Sequence, residues 1–100
     1  MRFLFLVLLL LFVMQNWYVY LVECRDKSYY CGITTDVNRR VNTHNKKKGS
    51  KYTASRTPVI LIDFVQVRNR SEALQLEAFI KKLHKAIKPR AIELFKKLIS

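Results

Sequence analysis

The sequence predicts an α+β domain in which a β-hairpin, a third strand and three helices follow an apolar N-terminal segment. Two β-branched and aromatic runs, Trp17 to Val22 and Ser28 to Ile33, flank the polar stretch Cys24-Arg25-Asp26-Lys27, which is the pattern of a hairpin. A third such run, Val59 to Val67, follows Pro58. Between and after the strands, apolar residues recur at helical spacing. One hundred residues, half of them hydrophobic and with only two Gly and two Pro, make one small folded domain and exclude a disordered tail.

Phe3 to Met14 are apolar without a break, and Arg2 is the only charge before them. The run is too short to span a bilayer, which takes about twenty residues. Its length suits the core of a secretory signal peptide. However, no small-x-small cleavage site follows, and strand character begins at once at Trp17. Three readings stay open for residues 1–14: a miscalled start with Met14 as initiator, an uncleaved leader or membrane anchor, and a docked helix. The segment is expected as an appended apolar helix with few contacts, and residues 15–100 as the domain. Cys24 and Cys31 have neither Cys-x-x-Cys spacing nor His partners. They read as small buried hydrophobes and fit a reducing, cytoplasmic setting. Membrane association enters only through residues 3–14.

Alternation along the first strand puts Tyr18, Tyr20 and Val22 on one face, and Tyr30 and Gly32 share a face of the second. With the turn centred near Asp26, Tyr20 and Tyr30 are close to cross-strand partners, while Tyr29 points the other way. Thr35 or Asp36 caps a helix that runs from Val37 to His44 and ends in Lys46-Lys47-Lys48. In it Val37 and Val41 face the core, Arg40 and His44 share an adjacent face four residues apart, and Arg39 points elsewhere. Gly49 to Thr57 reads as loop. The third strand is mostly apolar and is expected to be buried on both sides for part of its length. Ser71 and Glu72 open a second helix with the stripe Ala73, Leu76, Ile80 and Leu83, and Glu77 at its edge. A third helix starts around Pro89 and presents Ala91, Ile92, Phe95 and Leu98 inward.

The formal charge is +12 and the sequence pI about 10.1, a balance that calls for a polyanionic partner, nucleic acid or an anionic membrane surface. No acidic residue lies between Val37 and Ile62, where Arg39, Arg40, Lys46, Lys47, Lys48, Lys51 and Arg56 all fall. With Tyr52 and several hydroxyls among them, these residues suit the tracking of a phosphate backbone. The plainer reading of the lysine run is a solvated loop.

Tyr18-Val19-Tyr20 and Tyr30-Cys31-Gly32, followed by Arg40 and His44, resemble the paired motifs of the GIY-YIG nuclease superfamily. The stretch from Gly32 to Arg40 looks like the segment leading to that family's arginine, and Arg70 to Glu77 like the one supplying its glutamate. Order and spacing from Trp17 to Leu98 are similar to the small single-domain bacterial branch (YhbQ-like). Tyr18 stands where the first motif has glycine, and no Asn follows Asn69, where many members carry one late in the chain.

The resemblance implies a three-stranded antiparallel sheet flanked by helices and one active site. In that site Glu77 would hold a divalent metal, Mg²⁺ with Mn²⁺ as the alternative, and Tyr20 or Tyr30 would activate water. Arg40 would stabilise the pentacovalent phosphate, and His44 would bind substrate or shuttle a proton. A free phenol titrates near 10, so a tyrosine base needs cationic neighbours. A lone carboxylate holds Mg²⁺ only with water and phosphate oxygens completing its shell. Glu77 could equally form an i,i+4 ion pair with Lys81. The expected function is metal-dependent, endonuclease-like hydrolysis of DNA phosphodiesters, selective for structure rather than sequence because no recognition module is attached. The alternative is a non-catalytic nucleic-acid-binding module on the same scaffold.

Overall fold

The computed structural model describes residues 2–13 and 16–99, so the Met14 start and the boundary between residues 14 and 15 lie outside the described residues. Helix α1 (Arg2–Val13) is apolar around its circumference and leaves Phe3, Leu4, Phe5, Leu6, Leu8, Leu9 and Leu10 exposed. Among the described residues no helix is long and apolar enough to cross a membrane.

Strands β1 (Trp17–Glu23), β2 (Tyr29–Thr34) and β3 (Ile60–Val67) form an antiparallel sheet in the order β2-β1-β3. Between β2 and β3 lie α2 (Val37–Asn45) and the single turn α3 (Lys51–Ala54). After β3 come α4 (Arg70–Lys81), a 3₁₀ turn (Lys85–Ile87) and α5 (Lys88–Ile99). The α+β class, the hairpin, the third strand and helices α2, α4 and α5 are therefore as the sequence indicates.

Because β1 is central, its alternation feeds two cores. Val19 and Leu21 join Cys31, Val65 and Val67 beneath Ala73, Leu76 and Ile80 of α4 and Ile92 of α5. On the other face Tyr20 and Val22 join Cys24, Val37 of α2 and Val59. Val19, Tyr20, Leu21 and Val22 are all fully buried, so β1 is the strand covered on both sides. That corrects the expectation for β3, an edge strand whose Ile60, Ile62 and Phe64 are exposed.

Three further expectations change. Gly49 to Thr57 is not all loop, because Ser50 caps α3 by accepting from the Thr53 amide. Tyr20 pairs directly with Gly32 and Val22 with Tyr30, so the two tyrosines are diagonal neighbours. Leu98 is 82% exposed, not turned inward with Ile92 and Phe95. Asp36 and Asn69 cap α2 and α4 by accepting from the amides of Arg39 (3.1 Å) and Glu72 (2.8 Å).

Candidate active site

On the α2 side of the sheet, side chains from α2 meet the Tyr20 hydroxyl of β1. Arg40 and His44, one turn apart on α2, both reach it: Arg40 Nε donates to Tyr20 Oη (3.3 Å), and His44 Nε2 lies 2.7 Å away. A guanidinium can only donate, so the phenol accepts from Arg40 and gives its one hydrogen to His44 Nε2. That leaves the imidazole proton on Nδ1, which donates to Thr53 Oγ1 at 2.7 Å. Thr53 in turn contacts Ser50 Oγ at 2.9 Å. The relay Arg40–Tyr20–His44–Thr53–Ser50 thus joins α2, β1 and the α3 turn.

Burial sets its electrostatics. Tyr20, His44 and Thr53 are fully buried. Desolvation pushes the Tyr20 phenol up to about 12, against the hydrogen bond and charge of Arg40, which pull it down. Desolvation, helped by the Arg40 charge, pushes the His44 imidazole down to about 4. At neutral pH both rings are therefore neutral, as the relay requires.

The chain's only two glycines lie flat against these two rings. A Cβ at Gly32 would come 2.6 Å from Tyr20 Cζ, and one at Gly49 2.7 Å from His44 Cε1. Gly49 also accepts from Arg40 Nη2 through its carbonyl (2.9 Å). Gly32 is thus needed for close approach. Gly49, Ser50 and Thr53 carry no motif signal and stand out only once α3 is folded against α2.

The structure brings Tyr30 against this group by ring contact. Its ring lies edge-on to His44 (centroids 5.1 Å) and 6.5 Å from Tyr20, and is stacked with Tyr52 at 6.1 Å. Among the described residues the Tyr30 hydroxyl has no hydrogen-bond partner. Arg40 also lines a polar cleft of about 330 Å³ with Thr34, Thr35, Asp36, Arg39 and Thr43. Arg39 therefore shares a wall with Arg40, although adjacent helix positions are expected to diverge.

Glu77 stands apart. It lies on α4, which packs on the opposite face of the sheet, and its carboxylate pairs with Lys81 Nζ at 3.6 Å. Lys81 Nζ is in turn 6.0 Å from the Tyr30 ring centre, which links Glu77 towards the relay. Burial, reinforced by the Glu77 carboxylate, pushes the nearby Cys31 thiol up to about 12. Among the described residues no group of three or more His, Cys, Asp and Glu could hold a metal ion. Lys46, Lys47, Lys48 and Lys51 are exposed around the end of α2 and the start of α3. Arg56 is not free for phosphate: its Nε pairs with Asp26 Oδ2 at 3.0 Å, and its guanidinium lies 3.9 Å over the Tyr52 ring.

This sheet, with tyrosines on its two leading strands and an arginine reaching them from the next helix, has the arrangement that the sequence motifs led one to expect of a GIY-YIG domain. The GIY-YIG catalytic domain matches residues 16–91, and the chain belongs to the GIY-YIG family. It is similar to small proteins of that family. UPF0213 protein YsiG of Lactococcus lactis subsp. lactis is 40% identical over 83% of this chain and 78% of its own. UPF0213 protein YazA of Bacillus subtilis is 45% identical over 79% of this chain and 80% of its own. Among solved structures, an E. faecalis protein determined by solution NMR aligns with a TM-score of 0.56 at 39% identity, covering 80% of this chain and 85% of that one.

Proposed function

We propose that this chain is a divalent-metal-dependent endonuclease-like domain that hydrolyses phosphodiester bonds in DNA and selects structure rather than sequence. The observation that supports it most is the fixed guanidinium of Arg40, tied to Tyr20 and to the Gly49 carbonyl at the wall of a polar cleft. Those two bonds use Nε and one Nη2 hydrogen. The remaining three hydrogens can meet phosphate oxygens and neutralise the charge that grows on a five-coordinate phosphorus. Tyr30 would take the proton of the attacking water as its phenolate, its own hydrogen having first passed to solvent. Tyr20 is poorly suited to that step, because its hydroxyl is sealed and already donates to His44. Tyr20 and His44 instead act as positioning residues for Arg40.

Glu77 would hold Mg²⁺ or Mn²⁺ once the half-exposed Lys81 ammonium swings off its carboxylate, with water and phosphate oxygens completing the shell. A bound ion would neutralise phosphate charge there. Lys46, Lys47, Lys48, Lys51 and Arg39 serve as backbone-phosphate contacts. The Glu77–Lys81 pair is also the observation that favours a second reading, a scaffold that binds nucleic acid without cutting it.

Nicked, branched and single-stranded DNA, incubated with the protein and Mg²⁺ or Mn²⁺, separate the two. Cleavage is expected, with Arg40→Ala slowing it about 100-fold or more and Glu77→Ala abolishing it while affinity is kept. Binding without any cutting, with Arg40→Ala changing affinity alone, would establish the second reading instead.

A further inference from the structure

We infer that Tyr52 and Arg56 form a stacking platform for an unpaired nucleobase, so that the preferred DNA carries an unstacked nucleotide beside the phosphate entering the site. The inference rests on the DNA-cleaving reading above and names its substrate class. Four planar groups run outward from the relay. His44 is buried, Tyr30 lies edge-on to it at 5.1 Å, Tyr52 stacks on Tyr30 with planes 24° apart, and the Arg56 guanidinium covers Tyr52 at 3.9 Å.

The outermost plane is held rigidly. Arg56 Nε donates to Asp26 Oδ2 (3.0 Å), and Nη1 donates to the Tyr52 carbonyl (2.8 Å) and to Ser55 Oγ (3.4 Å). The hairpin turn fastens the same segment: the Arg25 amide donates to the Arg56 carbonyl at 2.9 Å, and Arg25 Nη2 to the Ser55 carbonyl at 3.5 Å. The platform is thus assembled from the β1–β2 turn and the end of α3, and Tyr52 remains 39% exposed.

The chemistry favours a base over a phosphate. Asp26, kept ionised by its bonds from Ser28 and Arg56, puts a carboxylate against the guanidinium and offsets the charge that would draw a phosphate there. What Arg56 still offers is a flat face, with its side chain 34% exposed. Guanidinium and aromatic planes are surfaces on which unpaired bases stack, and they do so with little regard to sequence. Such a platform discriminates unstacked from fully paired DNA without reading base edges.

The test measures binding of the full chain in EDTA, where cleavage does not intervene. Two duplexes are compared that differ only at one unpaired position, adenosine in one and an abasic unit in the other, so that phosphate charge is constant. The adenosine duplex is expected to bind about tenfold more tightly, in the range of one stacked base. Arg56→Lys, which keeps the charge and loses the plane, and Tyr52→Ala should bring that ratio towards one. Tyr52→Phe, which keeps the ring, should preserve it. 2-Aminopurine at the unpaired position should be quenched by the wild type and not by Arg56→Lys. Equal affinity for the two duplexes, or an Arg56→Lys protein that keeps the full ratio, would overturn the platform alone. Failure to bind either duplex would overturn the DNA-cleaving reading and the platform with it.

Discussion

At Tyr20 a guanidinium, an imidazole and a missing Cβ all bear on one side chain. Its ring cannot shift to admit a side chain at position 32, because Arg40 and His44 hold its oxygen and its body is buried. Gly32→Ala should therefore destabilise the fold by about 1–3 kcal/mol, the usual range for overpacking. Gly49→Ala should do the same through His44, and chemical denaturation of both variants measures it. The His44 imidazole gives a pH signature. It titrates near 4 in the folded chain and near 6.5 when unfolded, so the unfolded state binds the extra proton between those values. Stability is then full above about pH 6.5 and falls as pH drops towards 4, by up to roughly 3 kcal/mol at about 1.4 kcal/mol per pH unit. Thermal unfolding across pH 4–7 should show this slope, and His44→Gln should flatten it.

At the scale of elements, helix starts and the hairpin were legible because their causes are local. Asp36 caps its own helix as expected, and the run from Cys24 to Lys27 turns the chain within a few residues. The helix expected to open at Ser71 and Glu72 starts at Arg70 behind its cap Asn69. Replacing Asn69 by Ala should cost about 1 kcal/mol. Along α5 the expected inward set Ala91, Ile92, Phe95 and Leu98 is wider than the face that packs. An apolar residue at the flank of a stripe is not separable by spacing alone from one at its centre. Ile92→Ala, at a fully buried position, should cost about 2–5 kcal/mol. Leu98→Ser, at an exposed one, should stay within about 0.5 kcal/mol of the parent. Equal destabilisation by the two would place Leu98 in a core after all. The α3 turn is illegible in the sequence because Lys51–Ala54 is too short for any periodicity to register.

For the whole molecule the governing quantity is the +12 charge and where it sits. Asp26 pairs with Arg56, Asp63 with Lys96 and Glu77 with Lys81, whereas Lys46, Lys47 and Lys48 project into solvent. Neutralising those three lysines should weaken DNA binding on every sequence alike. It should also reduce the slope of log affinity against log salt by about 0.9 for each phosphate no longer neutralised, read from titrations at several salt concentrations. An unchanged slope would leave the run a solvated loop.

Local physics, written in the sequence, determined the strands and most helices, the basic surface, and the pairing of Arg40 with His44 on one helix face. Each of these follows from alternation, capping or i,i+4 geometry within a short stretch of chain. Only the tertiary structure decided that β1 is central and β3 an edge, because strand order is settled by a contact between residues some forty positions apart. It likewise decided that Tyr20 is sealed while, among the described residues, the Tyr30 hydroxyl has no hydrogen-bond partner, and that Glu77 pairs with Lys81. Arg56 turned from a phosphate contact into a fixed plane for the same reason: its partner Asp26 is brought to it by a fold, and no spacing along the chain could announce it.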